Sequence, residues 1–447
     1  MDGDSDKLGT LSTLSIGIGG MVGGGIFATT GLAVQLTKGA VPIAFIVAGV
    51  VALLTSYSYL KLTIAYPGEG GTVEFLNRGF GTGILTGASN ILLCFSYMVL
   101  VAIYAYALGS YGASFFAPEQ AQFWQHLFLS SAIVLLTILN VAGGSYVIRS
   151  ENILNLTKMI ILAMFVIVGF CTPMVWERLG PDHFVRPIAM VSGAMVVFFN
   201  YEGFELIANA SGRIKDRRRA LPVAYVGGVL LVIVFYVLIT MVTLGHLSFD
   251  STVSAGDHAL AVVANRLMGL PGQTMIAVAA VLACGSAINA TLYSAGPLTY
   301  TVARSGELPR ELERKIRGLP LEGMFAFAIV ALFLANFVPL NAISTMASAG
   351  FLFIFMAVNV ANIRLARETQ SRRWVSALGA LACGAALIIM CLQIDENPHS
   401  RRQLWILVGM VAVSLLIEVT YRAYSGRSIH LVRRHHKKNR MSSHDNA

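Results

Sequence analysis

Two carboxylates three residues apart, Glu202 and Glu205, and an ammonium, Lys158, stand inside otherwise lipid-soluble stretches of this 447-residue chain. An ionisable group at hydrocarbon depth is costly and persists beside a partner or a water-lined cavity. Each carboxylate can take up a proton, bond to backbone or face an amine. We read Glu202 as facing a cavity and Glu205 as bonded to neighbouring backbone; Gly203 between them leaves open whether they share a helix face. Lys158 lies about 12 Å along its helix from Ser150 at 1.5 Å per residue, so reaching the headgroups from there is difficult. Pointing inward, it places an ammonium among main-chain carbonyls, and a lysine that sheds its proton while a cavity faces one side is a proton-coupling device.

A different chemistry is offered by IGIGGMVGGGIF at 16–27, with six glycines in twelve positions. Glycine weakens a helix interior by roughly 1 kcal/mol relative to alanine, so the run predicts an interruption. Unwound backbone within a bilayer survives only in buried protein or beside a cavity. The amides of Val22, Gly23, Gly24, Gly25 and Ile26 would then face an anionic group such as a carboxylate, aided by the positive end of the resuming helix. Three other readings compete: a helix-dimer face through Gly19 and Gly23 or Gly20 and Gly24, close packing without a break, and a dinucleotide loop. The last is excluded because no βαβ unit accompanies the glycines.

The elements that must position these groups are membrane helices. The chain is 56% hydrophobic and 12% charged, against roughly 25% charged for a soluble domain. Windows of about 20 residues mark twelve apolar segments, near 10–37, 40–66, 84–116, 123–144, 151–175, 187–210, 222–246, 273–303, 323–340, 342–366, 374–393 and 403–424. The sixth, IAMVSGAMVVFFNYEGFELIANA at 188–210, is interrupted near its middle like the first, five spans earlier. Interrupted segments at matching places in two halves point to a transporter built as an inverted repeat, with substrate held where the breaks meet. Of the loops, PGEGGTVEFLNRGFG at 67–81 reads as a surface helix. The 248–269 loop contains a short helix from Ala259 to Met268, started by Asp257 as a cap.

Outer loops under this topology hold only Lys38, Arg178, Arg186, Arg266, Arg401 and Arg402, and the other basic residues except intramembrane Lys158 fall inside. The asymmetry predicts a multi-pass protein of the cytoplasmic membrane with both termini cytoplasmic. The net charge of +9 is mostly a topology signal, and RRRA at 217–220 and RRHHKKNR at 433–440 would meet anionic lipid headgroups. No folded module accompanies them, so nucleic acid is not an expected partner. The isolated cysteines, five in number, argue against a metal cluster or disulfide framework, and no nucleophile, base and orienting group recur at helical spacing as an enzyme would need. Ser286 and Asn289 fall one turn apart on the eighth segment, either bonding between helices or supplying oxygens to a coupling site.

With GGGIF (23–27), YPGEGGTVEFLNRGFG (66–81), FFNYEGFE (198–205) and INATLYSAGPLTYTVARSGELP (288–309) in order, the chain resembles the amino acid, polyamine and organocation superfamily of secondary transporters. It is most similar to the sodium-independent, proton-coupled amino-acid transporters of that group. The resemblance implies an all-α, leucine-transporter-like fold of about twelve transmembrane helices with helices 1 and 6 broken. Residues 1–9 would be a cytoplasmic start, 10–175 and 187–366 the inverted five-helix repeats, 374–424 two peripheral helices and 425–447 a basic tail. It also implies that Lys158 replaces a sodium ion, contacting the carbonyl of Gly19 and the hydroxyl of Ser286. The substrate, an amino acid or amine, would place its carboxylate at Val22 to Gly25 and its amino group against carbonyls around Phe199, Asn200 and Tyr201. Phe204 would be an aromatic gate above it, with protons as coupling ion and no other cofactor. Two departures matter: relatives usually carry an apolar residue at Glu202, and the 211–222 loop, SGRIKDRRRALP, lacks their acidic and Asn-Pro pattern.

Overall fold

The computed structural model describes residues 8–425 except 69, 144, 315–319 and 397–400. The first seven residues and the tail with its 433–440 basic run lie outside the described residues. The chain begins as α1 (Thr10–Met21), α2 (Gly25–Thr37), α3 (Val41–Ala65), the surface helix α4 (Gly71–Phe80), α5 (Ile84–Ala113), α6 (Ala121–Gly143) and α7 (Ser145–Cys171). Next come α8 (Pro187–Val196), α9 (Leu206–Ala210), α10 (Arg217–Pro222), α11 (Gly228–His246) and α12 (Phe249–Ala255). The remainder forms α13 (Ala259–Arg304), α14 (Leu321–Phe337), α15 (Leu340–Arg364), α16 (Ala366–Thr369), α17 (Arg373–Glu396) and α18 (Arg401–Ser425).

Among the described residues, nine helices are long and apolar enough to cross a membrane, or ten with the bent pair α1–α2 counted as one span; α8 and α14 are shorter apolar helices. The chain is therefore an all-α polytopic membrane protein. Helices that are apolar all round must divide their faces between protein and lipid, because hydrocarbon leaves every backbone group to be satisfied within the helix. The division is uneven: the apolar windows of α5 and α15 are 83% and 78% buried, those of α6 and α18 only 22%. Thus α5 and α15 are the inner walls, while Leu135, Ile138, Leu416 and Trp405 face outward.

The short connections make successive spans antiparallel. Leu8, α4 and Ser425 lie at one end of the bundle, the termini end; α12 lies at the far end. Hydrogen bonds tie elements together at both ends. At the termini end Leu8 N donates to Arg213 O (2.8 Å) and Lys215 N to Leu8 O (3.1 Å), while the Ser211 hydroxyl accepts from Gly68 N and donates to Gly68 O, both at 3.1 Å. At the far end Lys38 pairs with Phe184 as an isolated bridge.

The 248–269 loop departs from expectation. Asp257 does not cap the helix: α13 starts at Ala259 behind His258, with no side-chain cap. Asp257 instead turns towards Ser110 and Gln125 on α5 and α6. An unanticipated helix, α12, precedes it, capped by the Ser248 hydroxyl accepting from Ser251 N at 3.2 Å. The expected Ala259–Met268 helix is present and meets the eighth span at Gly269, whose φ of 67° makes the kink.

Candidate functional site

Both expected interruptions exist. Helix α1 stops at Met21 and α2 starts at Gly25, the two bent by 44°. In the sixth segment α8 ends at Val196, a 3-10 turn spans Phe198–Tyr201, Glu202 is extended and Gly203 has φ 119° before α9. The breaks touch through backbone: a Cβ on Gly20 would lie 2.9 Å from the Gly203 Cα, and one on Gly203 would overlap the main chain of Gly20 and Met21. Only glycine permits that approach and that φ.

A second set of bonds joins the breaks. The Tyr236 hydroxyl of α11 lies 2.6 Å from Met21 O and 3.0 Å from Asn200 O, so one hydroxyl proton is divided between the carbonyls where α1 and the 3-10 turn unwind. Asn200 donates from Nδ2 to Thr29 Oγ1 (3.0 Å) and Val197 O (2.7 Å), fixing the turn to α2. Ser348 of α15 accepts from Phe199 N (3.1 Å) and donates to Val196 O (2.9 Å). Tyr236 and Ser348 serve groups that unwinding strips of their helical partners. Neither Tyr236 nor Ser348 stands out in the sequence, since each is one polar residue in an apolar helix.

Of the expected anion-facing amides, that of Val22 is already spent: its N–H donates to Ile18 O at 2.7 Å, closing the last turn of α1. Gly25 and Ile26 occupy the first positions of α2, where amides lack an intrahelical acceptor. Tyr104 of α5 and Cys284 and Ala287 of α13 pack against Gly23 and Gly24 and wall this break. Tyr201 points away, donating to Phe45 O of α3 at 2.7 Å. Phe204 is not above the breaks. It packs against Tyr59, Tyr225 and Phe355 with ring centroids 5.4, 6.3 and 5.2 Å away, on the termini side, because it follows the break on a segment running from α8 at the far end to α9 at the termini end.

The three intramembrane charges are all buried. Lys158 donates from Nζ to Gly19 O at 3.0 Å and faces Cys284 of α13. Ser286 is half-buried two residues further on. Asn289 accepts from Asn140 Nδ2 of α6 at 2.8 Å, an interhelical bond. Glu205 accepts from Tyr97 OH (3.0 Å) and Gly203 N (2.8 Å), so both its oxygens hold the second break in shape. Glu202 reaches the Glu205 carboxyl, and its Oε1 has no hydrogen-bond partner among the described residues.

Two transmembrane helices interrupted at one place, with exposed main-chain dipoles and buried charges between inner walls, define a multi-pass membrane transporter. The chain belongs to the amino acid permease family of the amino acid, polyamine and organocation superfamily, whose family model matches residues 8–415. It is 30% identical to the inner membrane transport protein YbaT of Escherichia coli, over 93% of this chain and 96% of that protein. It is 27% identical to the uncharacterized protein MJ0609 of Methanocaldococcus jannaschii, over 96% and 98% of the two chains. It is 24% identical to the branched-chain amino acid permease BcaP of Bacillus subtilis, over 91% of each.

Proposed function

We propose that this protein imports an amino acid across the cytoplasmic membrane together with a proton, independently of sodium, by alternating access around the two breaks. The observation that carries the reading is the Lys158 ammonium on the Gly19 carbonyl, 3.0 Å apart, one turn from the unwound stretch. Unwound carbonyls beside a transporter site are where a coupling cation binds, and here a side chain that can lose its charge supplies one. Free amides at Gly25 and Ile26 suit a carboxylate, and carbonyls of the Phe198–Tyr201 turn suit an ammonium. That BcaP is a branched-chain amino acid permease supports the substrate class. In this reading the termini end is cytoplasmic, and the breaks belong to two inverted five-helix repeats.

The test is uptake of labelled amino acids and amines by purified protein in liposomes under an imposed pH gradient, with and without sodium. Accumulation driven by the pH gradient alone is expected. Accumulation that requires sodium and ignores the gradient would remove the coupling role of Lys158.

The unpartnered Oε1 of Glu202 favours a second reading, a carrier or exchanger of amines or cationic amino acids with Glu202 as counter-charge. In that case Glu202→Gln abolishes amine uptake; in the first it mainly changes pH dependence or selectivity.

A further inference from the structure

A second buried acidic group lies at the termini end, away from both breaks. Glu307 sits three residues beyond α13, in the turn made by Gly306 (φ 83°), and its side chain is fully buried. Its Oε2 accepts from Asn90 Nδ2 of α5 at 2.8 Å, and the same amide group donates to Asn77 Oδ1 of α4 at 3.3 Å. One turn earlier on α5, Gly87 lies directly beneath the carboxylate of Glu418 of α18, which is 1% exposed. Three acceptor atoms here have no hydrogen-bond partner among the described residues: Glu307 Oε1, Asn90 Oδ1 and Glu418 Oε2.

The amide donors nearest Glu307 are engaged. Both hydrogens of Asn90 are used, and Asn77 donates to Ser305 Oγ at 3.5 Å. Arg422 of α18 holds Glu418 Oε1 at 2.8 and 3.1 Å and also donates from Nη2 to Thr82 O at 3.3 Å. The other titratable neighbour is Cys94 of α5, which lies within the field of Glu307. Two carboxylates therefore face one guanidinium, and buried acceptors are left without donors, a costly state.

We propose that Glu307, Asn90 and Glu418 form a proton-binding site, in which one proton from the aqueous phase at the termini end rests on Glu307 and is donated to Glu418 or Asn90. A single proton corrects both faults, removing the excess negative charge and turning an orphaned acceptor into a donor for one of two waiting oxygens. A metal cation fits poorly, because hard cations collect about six oxygens and the Asn90 amide hydrogens point into this cluster. Burial pushes the Glu307 carboxyl up to about 7, with Asn90 pulling it down, Glu418 up and Arg422 down.

The site ties the end of α13 to α5, α4 and α18 in the arrangement described. Protonation tightens that tie, and ionisation sets two carboxylates against each other. Transport then slows when the phase at that end is acid, a brake on a proton-driven importer that does not act through Lys158.

Infrared difference spectra of the purified protein between pH 6 and 8 test the assignment directly. A protonated-carboxyl band that titrates near pH 7 is expected in the wild type and absent in Glu307→Gln; Asn90→Ala should move its midpoint upward. In liposomes with outside pH fixed, wild-type exchange should fall several-fold as inside pH drops from 8 to 6, and Glu307→Gln should be flat. No titrating carboxyl in the wild type, or a band that survives in Glu307→Gln, overturns the proposal. So does a band moved at fixed pH by exchanging sodium for potassium, which would make the ligand an alkali cation.

Discussion

The Lys158 ammonium lies 3.0 Å from the Gly19 carbonyl oxygen, bridging the fifth span to the first just before that span unwinds. The bond spends a charge on a main-chain oxygen, so the protonation state of one side chain is tied to the geometry of the segment that unwinds. Cys284 faces the same ammonium from α13, so removing the charge is felt on three helices.

Lys158→Ala should uncouple transport. Losing a charged hydrogen bond costs about 1.5–3 kcal/mol, so uptake driven by a pH gradient should drop about tenfold or more. Counterflow without a gradient should fall less. Equal losses in both assays would make Lys158 a structural residue.

Gly203→Ala should damage the site more than its size suggests. A φ of 119° is available to glycine alone, and the added methyl would strike Gly20 and Met21. Strain of this kind costs of order 1–3 kcal/mol, read as a lower Tm in detergent, with substrate-induced stabilisation lost. A variant as stable as wild type that still responds to substrate would mean the breaks do not press together as described.

Tyr236→Phe keeps the ring packing against Phe45 and Tyr201 but leaves Met21 O and Asn200 O without their shared donor. An unmade buried hydrogen bond costs about 1–3 kcal/mol, so substrate affinity should fall by roughly tenfold while the folded protein remains. Unchanged affinity would show that the bridge does not shape the site.

Glu307 makes stability depend on pH in a definite direction. Its carboxyl, raised from 4.5 to about 7 in the folded protein, binds a proton more tightly folded than unfolded. The resulting stability is complete below about pH 4.5 and is lost as pH rises through 7, on the order of 3 kcal/mol in all. The thermal midpoint of Glu307→Gln should therefore decline less between pH 5 and 8 than that of the wild type.

Both breaks are legible in the sequence because lipid punishes unwound backbone so severely that glycine runs and polar residues at mid-span rarely mean anything else. The surface helix α4 is legible for a similar reason, its polar pattern being too regular for a linker. What escapes is whatever tertiary packing decides. Tyr236 and Ser348 acquire roles only because α11 and α15 pass the breaks, and no local pattern announces them. The amide of Val22 is spent because α1 runs one residue longer than the glycines suggest. Asp257 occupies a plausible capping position, yet Ser110 and Gln125 draw it elsewhere. Phe204 lies on the termini side because it follows the break on a segment running towards that end. Glu307 belongs to a motif visible in the chain, but the cluster it forms with Asn90 and Glu418 depends on other helices.

The joint between the two interrupted helices is made of main chain alone at Gly20 and Gly203. It has no side chain to lengthen, shorten or recharge, so substitution can destroy this bearing but cannot tune it. A descendant adapting to a different cargo would keep this joint and remodel the walls around it, at Tyr104 and Cys284, where chemistry can change without disturbing the contact.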